Sequence, residues 1–141
     1  MDEFLGRLAS PNFRSVYSGL EETWNGRAAQ LNARLTAQEL PVRLSNLSSI
    51  WMVHYITPSR YNWMLQYYLR AEGLALSWVG TGRLIFSLNY TDADFAEVAD
   101  RFVAAAAKMK ADGWWWHDGA LTNKNIRRSI LREMIASRFS R

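Results

Sequence analysis

One stretch leaves this chain little freedom. Residues Gly73 to Gly113 read GLALSWVGTGRLIFSLNYTDADFAEVADRFVAAAAKMKADG, too densely patterned to be loop. From Arg83 to Asn89 the pattern is that of a strand. Leu84, Phe86 and Leu88 fall on one face and Arg83, Ile85, Ser87 and Asn89 on the other, because strand side chains alternate with period two. A Gly80-Thr81-Gly82 turn, joined upstream to a shorter strand, leads into it. Thr91 then sits where a hydroxyl can cap a helix, with Asp92 and Asp94 near its positive end. Phe95, Val98, Ala99, Phe102, Val103, Ala106 and Met109 recur at steps of three and four, so this helix must lie on an apolar surface. The face made by Leu84, Phe86 and Leu88 is the simplest one. Gly113 supplies the left-handed stop.

Upstream, Ser10-Pro11 is a start signal for a helix that keeps helical spacing through Phe13, Val16, Tyr17, Leu20, Trp24, Arg27, Leu31 and Leu35, weakened by Gly19 and Gly26. Pro41 breaks it. Val42–Asn46 and Ser49–Ile56 read as strands, and since both faces of the second are apolar it should be central in its sheet. Tyr61–Glu72 returns to helical spacing until Gly73, and Thr122 caps a last helix with a narrow stripe of Ile126, Ile130, Met134 and Ile135. Residues 1–9 could form a short helix of their own. The order of elements predicts an α+β fold, a small antiparallel sheet with helices packed mainly on one face.

The run GLALSWVGTGRLIFSLNYTDADFAEVADRF resembles the closing strand pair and last helix of class III aminotransferases dependent on pyridoxal phosphate (PLP), and glutamate-1-semialdehyde 2,1-aminomutase in particular. The shared pattern, a strand followed by Ser-Leu-x-x-Thr-acid-x-acid and an amphipathic helix, is Ser87, Leu88, Asn89, Tyr90, Thr91, Asp92, Ala93, Asp94 here. A weaker likeness runs upstream through GLEETWNGRAAQLNARL. The resemblance implies that residues 1–113 are the C-terminal small domain of such an enzyme, with 114–141 a Trp-rich connector and basic C-terminal helix. It implies partners as well: a large domain that carries PLP and its lysine, and a second subunit in a homodimer. The chain would help close the substrate site without being catalytic alone.

The resemblance also points to one residue. Several class III enzymes begin this strand with an arginine that grips a substrate carboxylate, and counting back from Thr91 puts Arg83 at that place. A guanidinium fork matches a carboxylate bidentately. The aminomutase-like members do not use that arginine, and the family's Pro-Pro pair stands as Phe86-Ser87 here, so an edge-strand arginine that caps the hairpin is the other reading.

Composition narrows the remaining chemistry. The 141 residues are 49% hydrophobic and 21% charged, ordinary for one globular domain, and contain no cysteine and two histidines, His54 and His117. That leaves no thiolate nucleophile, no disulfide framework and no zinc cluster to expect. The start, MDEFLGRLASP, lacks a leader pattern and no segment is apolar enough to span a bilayer, so a cytoplasmic protein is expected. The net charge of +4 is a local property: six cations against Glu133 give residues 122–141 a charge of +5, and the rest of the chain sums to −1. Nucleic acid is therefore not expected as a partner, although the tail remains the place where an anionic surface would bind.

The three lysines, Lys108, Lys110 and Lys124, fall at a helix end and in the tail, where they should be solvated, so no residue of this chain is expected to bind PLP. Gly80 and Gly82 join two strands and so serve hairpin geometry; a phosphate loop would lead into a helix. Tyr61, Trp63, Tyr67 and Tyr68 suit an interface, His54 a satisfied half-buried position, and Trp114–Trp116 a contact site. A rival to the aminotransferase reading is a PLP-independent interaction module with aromatic and basic contact surfaces.

Overall fold

The computed structural model describes residue 3, residue 6 and the stretches 10–75 and 82–139, without the side chains of residues 12, 13 and 16. A helix within residues 1–9, the strand before the glycine turn, and Gly80 and Thr81 lie outside the described residues. Elements run α1 (Pro11–Ser18), α2 (Leu20–Ala37), β1 (Val42–Leu47), β2 (Ile50–Tyr55), a 3-10 turn (Asn62–Met64), α3 (Leu65–Ala71), β3 (Arg83–Ile85), α4 (Asp92–Ala111) and α5 (Asn123–Phe139). The sheet is antiparallel with order β1-β2-β3, so β2 is central as its two apolar faces predict.

The expected first helix is two helices. Gly19 ends α1 and opens α2, whereas Gly26 stays inside α2, whose Trp24, Ala28, Leu31 and Leu35 are buried. Packing outweighs the propensity cost at Gly26 and has less to hold at Gly19. Ser10 and Pro11 take the expected N-cap and first-turn positions, without a side-chain cap bond from Ser10. The Tyr61–Glu72 helix likewise opens as a 3-10 turn before α3.

β3 is shorter than its alternation suggests. Ile85 pairs with Ile50, the first residue of β2, and the Phe86 amide donates to the Ser49 carbonyl at 3.0 Å. Beyond that the partner strand has turned away into the β1–β2 hairpin, so no backbone remains to pair with. The chain bends instead, with the Tyr90 amide donating to the Ser87 carbonyl at 3.2 Å. Leu84 and Phe86 are buried as expected, but Leu88, placed past the end of the ladder, is 39% exposed.

The core lies between one sheet face and the helices α2 and α4. Trp51, fully buried, has Phe86 and Phe95 ring centroids at 5.4 and 5.2 Å and the edge of Trp24 at 6.1 Å. Offset and edge-on arrangements of this kind add to plain burial. The stripe read along α4 is buried in full, joined by Ala105. Its N-terminus is a reciprocal capping box: the Asp94 amide donates to Thr91 Oγ1 at 3.2 Å and the Thr91 amide donates to an Asp94 carboxylate oxygen at 2.8 Å. The Thr91 hydroxyl, which also donates to that carboxylate oxygen at 2.7 Å, and then the Thr91 amide hold the Asp94 carboxyl below the ordinary value of 3.8.

Three helices end the same way. The Gly113 amide donates to Lys110 and the Trp114 amide to Met109; Gly73 and Leu74 repeat the pattern on Arg70 and Leu69. Both glycines have positive φ, at +74° and +82°. In α2 the same pair of bonds is made by Glu39 and Leu40, with Glu39 at φ 53° where a glycine would sit without strain.

Candidate functional site

Helices cover one face of the sheet, and among the described residues the other is open. In β2, Trp51 and Val53 point into the core while Ile50 and Met52 are 45% and 42% exposed. Register carries this alternation across the strands. Leu47, Ile50 and Ile85 form one row and Ser45, Met52 and Arg83 the next, with Arg43 opposite His54 beyond them. Leu47 and Ile85 are 75% and 68% exposed. The open face thus has an apolar end and a polar end, and Arg83 stands on the border between them.

Arg83 is an exposed residue on β3 with its neighbour Leu84 in the core. Gly82 before it has φ +65°, and a Cβ there would come within 3.3 Å of the Val53 carbonyl and side chain, so close backbone approach fixes the start of the strand. The turn therefore serves strand geometry at its described end, as the sequence indicates. His54 is half-buried beside Ser45, Nε2 to Oγ 2.6 Å, a satisfied histidine on the polar end of the same face. Sequence reading singled out Arg83 and His54 separately. What places them with Arg43 and Ser45 is the β1–β2–β3 register, which period-two alternation alone could not give.

Other candidates do not gather there. Lys108 is 64% exposed and paired with Glu72, and Lys110 donates to the Gln38 carbonyl at 2.8 Å. Neither has the desolvated setting in which a lysine amine becomes a nucleophile, and Lys124 is exposed on α5. The aromatic set of the 3-10 turn and α3 is divided. Trp63 and Tyr67, 5.6 Å apart, face solvent, whereas Tyr61 turns to Trp114 and Trp116, and Tyr68 donates to Asp112 at 2.6 Å. That bond keeps the Tyr68 phenol protonated, raising it to about 12. The three tryptophans also divide: Trp114 and Trp116 are 36% and 49% exposed, while Trp115 packs on the core and donates from Nε1 to the Ala106 carbonyl at 2.9 Å.

Among the described residues, the larger hollows lie away from Arg83. One of about 500 Å³ is lined by Gly73, Ser87, Asp94 and Arg101 among others, and one of about 450 Å³ runs between α2 and α4. Most of their charged groups are committed to the fold: Arg101 to Glu97 and the Glu72 carbonyl, Asp94 to the helix cap, and Arg34 to Asp100. Helical spacing alone gives Arg27 a place in the α2 stripe and no further role. Its buried guanidinium lies 4.6 Å over Trp24 and donates to the Tyr90 carbonyl at 3.0 Å and to Asp92 at 2.8 Å. It ties α2 to the turn that opens α4. Arginine at an apolar helical position opposite an acid-rich helix start is the signal that could have found it.

No family model and no curated protein matches this chain. Solved structures do. A transaminase with PLP bound superposes with a TM-score of 0.60 at 19% identity, covering 76% of this chain and 26% of that one. A β-phenylalanine aminotransferase from Variovorax paradoxus gives a TM-score of 0.50 at 23% identity, covering 67% and 24%. The chain spans about a quarter of the length of these enzymes. At such identities the likeness is one of fold: a three-stranded antiparallel sheet with its helices, arranged as in an aminotransferase C-terminal domain.

Proposed function

We propose that this chain is the C-terminal small domain of a cytoplasmic, PLP-dependent class III aminotransferase or glutamate-1-semialdehyde 2,1-aminomutase-like enzyme, and that it closes a substrate site without performing the chemistry alone. Residues 1–113 form that domain and 114–141 the connector and basic helix. The observation that carries the reading is the open sheet face. Leu47, Ile50 and Ile85 form an exposed apolar row across all three strands, a surface suited to packing on a large domain, and Arg83 stands at its edge. The fold shared with a PLP-bound transaminase about three times as long supports the same view. The described lysines do not fit a PLP attachment site, so PLP belongs to the large domain, which in a homodimer would be covered by this domain from one side.

In the aminotransferase form of that enzyme Arg83 holds a substrate carboxylate. Its planar fork fixes the orientation of the acid group in a way a lysine cannot. The experiment is Arg83→Lys in the full-length parent enzyme. Loss of a desolvated bidentate contact costs roughly 2–5 kcal/mol. kcat/KM for a carboxylate-bearing substrate should therefore fall by at least about tenfold. Because Arg83 is exposed in the domain, thermal unfolding should stay the same. Unchanged kinetics would remove Arg83 from the site and leave it as a strand-end arginine.

A further inference from the structure

Helix α5 carries a second, differently built surface. On a helix of 3.6 residues per turn, Ile126, Ser129, Ile130 and Glu133 share one side. That side faces the body: Ile126 and Ser129 border a hollow with Arg60 and Trp116, and Arg60 donates to both carboxylate oxygens of Glu133 at 3.0 and 2.7 Å. The helix is thereby held with its other half outward. There Leu131, Met134, Ile135 and Phe139 are 58%, 64%, 49% and 85% exposed. Arg127, Arg128, Arg132 and the other two cations of the helix fall between them, and Glu133, the only acid of the helix, is on the opposite side and already paired.

This interleaving selects among occupants. A bilayer would need a continuous apolar sector, and here cations interrupt it at every step. A nucleic-acid backbone would engage the cations and leave four large apolar side chains against water. A second copy of α5 would bring like charges together, while on α4 the acids Asp92, Glu97 and Asp100 are engaged by Arg27, Arg101 and Arg34. Arginine mixed with methionine and aromatic side chains is the composition of protein interfaces. We propose that the outward half of α5 docks on an acidic, apolar-lined surface of another protein. The proposal is independent of the aminotransferase reading, because it uses no residue of the open sheet face.

The test uses the full 141-residue chain and a dye-labelled synthetic helix of alternating glutamate and leucine faces. Its counterparts are the same helix with glutamine for glutamate, polyglutamate of equal length, phosphatidylglycerol vesicles and duplex DNA. Anisotropy titrations should give the acidic amphipathic helix at least about tenfold tighter binding than either the glutamine version or polyglutamate, since charge and apolar contact are both required. The paired change Leu131→Ser with Met134→Ser should weaken it about tenfold. Thermal unfolding of that variant should match the parent chain, both residues being exposed. If it does not fold, Arg127→Glu with Arg128→Glu decides the matter by reversing the charge. Equal binding of polyglutamate or of the glutamine helix, tighter binding to vesicles or DNA, no binding at all, or sedimentation showing self-association through α5 would each overturn the proposal.

Discussion

Two truncations separate the part of the C-terminal segment that belongs to the fold from the part laid on it. Ending the chain after Leu121 removes α5, which contains no buried residue. The Arg60–Glu133 pair goes with it, but its side chains are 40% and 54% exposed and solvent screens it. The half-buried Ile126 is the principal loss, about 1 kcal/mol. For a chain of this size that lowers Tm by about 4 °C. Ending it after Gly113 also removes Trp115. A fully buried tryptophan is worth about 3–5 kcal/mol. Half of that, with the hydrogen bond to the Ala106 carbonyl at about 1 kcal/mol, gives roughly 3 kcal/mol. Thermal unfolding of the two fragments measures the difference, and Tyr55 gives a second readout. Burial pushes its phenol up to about 12, and the Trp115 ring, 6.3 Å away, is part of its cover. Ultraviolet titration should find Tyr55 near 12 in the fragment ending at 121 and nearer the ordinary 10 in the one ending at 113. Loss of cooperative unfolding in the longer fragment, or equal behaviour of the two, would refute the assignment of Trp115 to the core and α5 to the surface.

The cap of α4 gives a pH prediction: the Asp94 carboxyl is lowered below 3.8 by the bonds from Thr91, so its contribution is present above about pH 4 and lost as pH falls through the folded-state value. Asp94→Asn should lower stability at neutral pH and flatten the acid limb, as followed by denaturant unfolding between pH 2 and 6. Glu39→Gly should stabilise by about 1 kcal/mol by relieving φ 53°, since the pairing with Lys110 is 3.6 Å long on a side chain 90% exposed; a lower Tm would show that pairing to matter more. Phe102→Ala, at 0% exposure, should cost about 3–5 kcal/mol in denaturant unfolding, against about 1.5 kcal/mol or less for Phe102→Leu.

What the sequence made legible is what local periodicity determines. The stripe of α4, its Thr91 cap and its Gly113 stop came directly from spacing, because a long amphipathic helix repeats its signal five times over. Strand ends did not. Leu88 has the right parity to be buried, and only the place where β2 turns away excludes it from the ladder. The left-handed cap at Glu39 is equally invisible, since nothing about glutamate announces a positive φ. The candidate site shows the same division: Arg83 could be named from its place in a motif, whereas its neighbours Arg43, Ser45 and His54 come together only through pairing register.

The open face follows from the same alternation. Both faces of β2 are apolar, which in a finished sheet indicates cover on both sides. Here Trp51 and Val53 have their cover in α2 and α4, but Ile50 and Met52, at 45% and 42% exposed, do not, although the two positions that flank Ile50, Leu47 and Ile85, are apolar too. Such a row costs solubility and gains the domain nothing by itself, since the core is already closed on the other side. A strand written for burial on two faces and buried on one carries information about a surface beyond the domain. That surplus of apolar pattern beside Arg83 is the physical ground for the proposed packing on a further domain.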